Sequence, residues 1–205
     1  MEKYTEPTYY FDFEHHAIQD FVKETIQGIK PEKEKAIAIY KAVRDGWRYK
    51  ADSIFVSKEA YKISSIFYRE TGHCLDKAIL MVGCLREANI PARMCLAKVK
   101  NHIAAEEMIE ILGTDELTPH GYVEVFLNGK WVKATPTFNK SLCEWLNVST
   151  LEFDGENDSV FQEFDKEGGL FMEYLEEYGN FADVPFEYIF QIFKQHYPKF
   201  YKTNC

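Results

Sequence analysis

The chain carries five cysteines, Cys74, Cys84, Cys95, Cys143 and Cys205, and six histidines. Cys74 stands apart from the other thiols. It follows Gly72-His73 and opens a long apolar run, which places it at the predicted N-terminus of a helix. Backbone N–H groups and the helix dipole favour the thiolate there, the form that acts as a nucleophile. His120, next to Gly121, begins a predicted strand. A strand holds an imidazole rigidly against a helix end, and Cys/His partners meet in space rather than in sequence. An imidazolium nearby would depress the thiol's pKa further and so favour a nucleophilic role. Cys84 falls ten residues later in the same apolar run and Cys95 lies mid-strand, so both read as small core hydrophobes. Cys143 and Cys205 show no partner. An odd count without C-x-x-C describes neither a disulfide framework nor a zinc ribbon. His73 reads as a loop residue at the edge of the site, His102 as structural, and His15 and His16 as exposed.

The elements that must position the pair follow from hydrophobic period. His15–Gln27 has helical spacing and is closed by Gly28. Pro31 starts a second helix whose apolar stripe runs to Trp47. Lys58–Tyr68 is predicted helical. Cys74 to about Ala88 is apolar nearly all round, which predicts a buried central helix ended by Ile90-Pro91. Ala92–Val99 and His120–Leu127 read as strands, with a short helix over 104–112 between them. Asn128-Gly129 is a hairpin turn leading to a strand over 130–135. A short helix over 139–147 and an acidic loop region over 150–169 follow. Leu170–Tyr178 and Pro185–Tyr197 read as aromatic-rich helices. Helices, then strands, then helices argue for α+β architecture, and the length suits one domain over residues 1–205.

Charge and hydropathy exclude several functions. The net charge is −9, and residues 151–205 hold 12 acidic against 4 basic side chains. Phosphate backbones need a basic face, so nucleic acid is not expected as a partner. No apolar run approaches the ~20 residues that span a bilayer, and the start of the chain lacks the pattern of a secretory signal. A cytoplasmic protein without membrane contact is expected. Asp154, Glu156, Asp158 and Asp165 have the spacing of a calcium loop, but Ser159 occupies the position that needs glycine. The segment reads as an acidic loop that packs Phe153 and Phe161 on the core. No metal or cofactor is expected.

Two stretches resemble the transglutaminase-like superfamily. Gly72-His73-Cys74-Leu75-Asp76-Lys77-Ala78, continued by Leu85-Arg86-Glu87-Ala88-Asn89-Ile90-Pro91-Ala92-Arg93, is similar to its core signature. His120-Gly121-Tyr122-Val123-Glu124-Val125 with Gly129-Lys130-Trp131-Val132 is similar to its histidine strand and hairpin. The similarity covers roughly residues 45–140. It implies a papain-like fold, in which the central helix bears the cysteine and packs on an antiparallel sheet, with helical extensions at both ends. It further implies Cys74 as nucleophile and His120 as general base of a Cys-His-Asp triad. The implied activity is a thiol-dependent amidase, peptidase or acyltransferase acting on a peptide or amide, with hydrolysis favoured over cross-linking.

One departure bears on that implication. The family's acid lies fifteen residues after the histidine, and Thr135 stands there. A hydroxyl orients an imidazole but brings no charge to stabilise the imidazolium. Asn139, four residues on, is an alternative, as are Asp154 and Asp158 folding back from the acidic segment. Trp47, Tyr49 and Tyr61 are candidates for a side-chain oxyanion donor beside the Cys74 N–H. The missing acid also motivates a different reading, in which the chain is a catalytically degenerate binding or assembly module.

Overall fold

The computed structural model describes residues 1–51, 55–103, 105–161 and 165–198. In chain order the elements are α1 (His16–Thr25), α2 (Glu32–Gly46), β1 (Arg48–Tyr49), α3 (Ile63–Phe67), β2 (Thr71–Gly72), α4 (Cys74–Glu87), β3 (Ala92–Asn101), α5 (Ala105–Leu112), β4 (Glu116–Leu127), β5 (Lys130–Ala134), α6 (Lys140–Trp145), β6 (Met172–Phe181) and α7 (Phe186–His196). An antiparallel sheet in the order β5-β4-β3-β6 packs against α4. Helices α1, α2 and α3 pack around the other sides of α4. Among the described residues, no helix is long and apolar enough to cross a membrane.

Every residue of α4 from Cys74 to Arg86 is buried, as its all-round apolar character predicts. Its three charged side chains in that stretch are matched individually. Lys77 Nζ donates to the carbonyls of Arg44, Trp47 and Thr137 at 2.7, 2.9 and 2.7 Å. Burial pushes this amine down to about 7, but three carbonyl acceptors suit the three hydrogens of an ammonium. Arg86 donates to the carbonyls of Ala92, Glu6 and Ala182 and lies over the Phe11 ring. Asp76 accepts from the His73 N–H at 3.1 Å and from Arg69 at 3.0 Å. The helix ends with Asn89 in the left-handed region (φ 58°), the Ile90 N–H bonded to the Leu85 carbonyl and the Asn89 N–H to that of Arg86. That is a Schellman stop with asparagine in glycine's usual place.

The predicted hairpin is present. Asn128 (φ 51°) and Gly129 (φ 82°) turn the chain, and Leu127 pairs with Lys130. The expected helix over Leu170–Tyr178 is overturned, because from Met172 onward this stretch lies in strand β6, where Tyr174 pairs with Val99 and Phe181 with Met94. Two register shifts along β3–β6 break the two-residue alternation. The half-buried Tyr174, Tyr178 and Phe181 stand four and then three apart, a spacing that imitates a helix. The C-terminal extension is thus a strand followed by a helix. The Lys58–Tyr68 expectation resolves into a 3-10 turn over Lys58–Tyr61 and the short α3, separated by an extended Lys62.

Gly121 sets the distance between β4 and α4. A Cβ there would lie 2.8 Å from Leu75 Cδ2 and 3.0 Å from Leu75 Cα. Only glycine lets the strand reach the first turn of the helix this closely. Gly121→Ala is expected to push the strand off the helix and cost about 2 kcal/mol, read as a lowered urea midpoint. It should also increase the exposure of Cys74 to alkylation.

Candidate active site

The close approach at Gly121 brings the middle of β4, which begins at Glu116 rather than at His120 as the sequence suggests, to the start of α4, where Cys74 is the first helical residue. The Cys74 side chain is 7% exposed. Burial pushes its thiol up to about 11, against the opposing pull of the Gly121, Leu75 and Cys74 backbone N–H groups. The helix-terminus argument from sequence therefore has the right sign but not the decisive size, since desolvation outweighs it. His120 is fully buried on β4, with its ring centroid 4.8 Å from that of Phe161 and 6.1 Å from that of Tyr174. Burial, with His73 nearby, lowers its imidazole to about 3. Neither His120 ring nitrogen has a hydrogen-bond partner among the described residues. The resting pair is a neutral thiol and a neutral imidazole.

Thr135 follows the end of β5 and is 1% exposed. Its carbonyl accepts from the Tyr40 hydroxyl at 3.2 Å, while its own hydroxyl is buried without a partner among the described residues. Tyr174, from the C-terminal extension, brings a second buried hydroxyl toward Thr135. Asn139 is engaged elsewhere. Its Oδ1 accepts from the Tyr49 N–H at 3.0 Å, and its Nδ2 donates to Ser141 at 2.7 Å. Asp154 caps its own turn through the Glu156 and Asn157 N–H groups, which hold it near 2. Asp158 accepts from the Lys133 N–H at 2.9 Å. Neither carboxylate bonds to His120.

Of the oxyanion candidates, Tyr49 lies beside Cys74, lining the same cavity. Trp47 is buried with its ring 5.6 Å from that of Phe21, and Tyr61 packs its ring 5.4 Å from that of Phe186. His102 pairs with Glu173 at 3.2 Å, away from Cys74's cavity. Cys84, Cys95 and Cys143 are buried core thiols, each pushed up by burial. Cys205 lies outside the described residues.

The cavity at Cys74 is small, about 20 Å³, the space of one water or one carbonyl oxygen. Its walls include Tyr49, Leu117, and Phe193 and Tyr197 from the C-terminal end of α7 and beyond. Tyr197 is fixed there by accepting from the Thr118 N–H at 2.7 Å and donating to the Glu116 carbonyl at 3.0 Å. His73 also lines it. His73 lies outside the helix and at the site, as expected, and it also caps α4, a role not foreseen from the sequence. Its Nδ1 accepts from the Asp76 N–H at 3.2 Å, and Asp76 returns the bond to the His73 N–H. The signal is present in the spacing, an acidic residue three positions after a polar one at a helix start.

A family model of the transglutaminase-like superfamily matches residues 19–136. The chain belongs to the transglutaminase-like superfamily. Among solved structures, a candidate cysteine protease from Cytophaga hutchinsonii aligns with TM-score 0.50 and 19% identity, covering 65% of this chain and 40% of that one. A candidate protease from Parabacteroides distasonis ATCC 8503 aligns with TM-score 0.42 and 18% identity, covering 65% of this chain and 24% of that one. This chain thus spans less than half the length of either structure. No curated protein matches it. The papain-like architecture expected from the sequence is the one observed: a cysteine-bearing central helix on an antiparallel sheet.

Burial of neutral His120 has a consequence for stability. The unfolded chain takes up a proton near pH 6.5 that the folded chain refuses until about pH 3. Stability should therefore fall as pH drops through that window, by up to roughly 1.4 kcal/mol per pH unit from this group. Urea titrations at pH 7, 5 and 4 should show the decline, and His120→Gln should flatten it. An unchanged slope in that variant would mean that His120 is not held neutral.

Proposed function

We propose that this chain is a cysteine-dependent hydrolase of amide bonds, with Cys74 as nucleophile and His120 as general base. The observation that supports the reading is the close approach of Gly121 to the Leu75 backbone, which joins the residue after His120 to the residue after Cys74, together with a His120 imidazole that has no hydrogen-bond partner among the described residues. A neutral imidazole is the form that accepts a proton. As Cys74 sulfur bonds to the carbonyl carbon, His120 takes the thiol proton, and the oxygen acquires the negative charge near the α4 N-terminus. The intermediate collapses with cleavage of the C–N bond while His120 protonates the departing amine. Water then attacks the thioester, His120 takes and returns one proton, and the acid and the free thiol are released. Thr135 stands at the acid's position but its hydroxyl makes no bond to His120, and the Asn139 amide is committed to Tyr49 and Ser141, so the imidazole is held by its packing against Phe161 and Tyr174. Membership of the superfamily and likeness to a structure described as a cysteine protease support a peptide substrate.

Because His120 stays neutral down to about pH 3, the acid limb of kcat/KM is expected well below the pH ~6.5 of an ordinary imidazole. Site-resolved alkylation with iodoacetamide tests the pair without a known substrate. At pH 7, His120→Ala should slow labelling of Cys74 at least ~10-fold and leave Cys143 unchanged. Equal rates in the two proteins would remove the general base and with it this reading. Thr135→Asp supplies the missing charge and should raise both the His120 pKa and the Cys74 rate below pH 8.

A second reading is favoured by the small, roughly 20 Å³ cavity and by the absence of a carboxylate on His120 among the described residues. In it the chain is a degenerate binding or assembly module, and Cys74 labels slowly with no dependence on His120.

A further inference from the structure

His73 is 4% exposed, and its two ring nitrogens have different fates. Nδ1 faces the Asp76 N–H at 3.2 Å, inside a reciprocal capping box, with Asp76 Oδ2 at 3.1 Å from the same nitrogen. Nε2 has no partner among the described residues. The residue lines the same small cavity as Cys74. A neutral imidazole that accepts at Nδ1 carries its hydrogen on Nε2, and an imidazolium shared with Asp76 carries one there too. Either form leaves an N–H donor beside the thiol with no acceptor among the described residues. A buried donor left unpaired is costly, so the arrangement is poised for an acceptor that arrives with a ligand.

We propose that His73 Nε2–H binds the carbonyl oxygen of the acyl group presented to Cys74. His73 is then a catalytic residue that stabilises negative charge on that oxygen, in addition to capping the helix. This rests on the proposed nucleophilic role of Cys74. The ligand class is an acyl or amide carbonyl. The size of the cavity suits one such oxygen. Asp76 does two jobs at once. Its backbone N–H fixes the ring orientation, and its carboxylate, anchored by Arg69 at 3.0 Å, keeps the cap from turning.

Two small electrophiles separate this role from mere helix capping. Acrylamide adds to the thiol by forming a bond from sulfur to its terminal carbon. The carbon–carbon π electrons move toward the carbonyl oxygen, and the thiol proton ends on the α carbon. Methyl iodide forms an S–CH₃ bond, expels iodide and has no oxygen to bind. His73→Asn keeps a capping acceptor but deletes the Nε2 donor. His73→Gln places an amide N–H near the lost donor. Mass spectrometry at Cys74 should show His73→Asn slowing acrylamide about 10-fold, a loss of about 1.4 kcal/mol in transition-state stabilisation, with the methyl iodide rate within about 2-fold of wild type. His73→Gln should restore part of the acrylamide rate. Equal loss for both reagents would reduce His73 to a cap and overturn the proposal. Nitrogen-15 NMR of the wild-type imidazoles is a second test that survives any folding defect in the variants. Hydrogen on Nε2 is expected, and a neutral ring with its only hydrogen on Nδ1 overturns the proposal. If acrylamide and methyl iodide were both indifferent to His120→Ala while the selective His73 effect persisted, the general-base assignment would fall and the oxygen-binding role would stand.

Discussion

Everything in this structure is arranged around a helix that has no solvent-facing side. Helix α4 is buried from Cys74 to Arg86, so each of its polar groups needs an acceptor or donor supplied by another part of the chain. That requirement fixes the neighbours. Lys77 collects carbonyls from the end of α2 and from Thr137, which holds the loop after β5 against the helix. Asp76 collects the His73 N–H and Arg69, which shapes the approach to the first turn. The geometry at the thiol is a by-product of this satisfaction. Cys74 is placed because the helix starts there, and the helix starts there because His73 and Asp76 cap each other.

The same enclosure decides the electrostatics. A thiol at a helix N-terminus is ordinarily favoured as thiolate, and an imidazole beside it as imidazolium. Here the surroundings of Cys74 and His120 are aromatic and enclosed, and among the described residues no carboxylate offsets the loss of solvation around the ring. Desolvation then favours the uncharged forms of both groups. In the hydrolase proposed above, the resting pair would resemble a serine–histidine dyad in its protonation, with charge separation deferred until the carbonyl is attacked. Substitution of threonine for the usual acid and burial of the pair are thus parts of one arrangement. An acid at Thr135 would be a buried charge needing its own partners.

Much of this is legible in the sequence. The apolar run from Leu75 to Leu85 announces a central helix, Asn128-Gly129 a hairpin, and the Gly-His-Cys and His-Gly-Tyr stretches the family. What escapes is informative. Strand β6 reads as a helix because two register shifts against β3 space its inward aromatics as a helix would, and only the partner strand reveals that. The direction of the Cys74 shift is hidden because a helix terminus is visible in sequence whereas the degree of enclosure is not. The part played by His73 is hidden because neighbours in sequence ordinarily point apart. An N-cap residue has non-helical backbone angles, and its side chain turns back over the first turn.

The guanidinium of Arg86 reaches three parts of the chain at once: Glu6 near the start, Ala92 on the sheet and Ala182 after β6. Two of those anchors lie outside the segment that carries the family signature, residues 19–136. The flanking stretches are therefore ligands of a buried cation rather than ornaments on a self-sufficient core. A related protein that lacked them would have to change the residue at this helix position or enlist other carbonyls. In this chain the bonds of one side chain thus reach beyond the limits of recognisable sequence likeness on both sides.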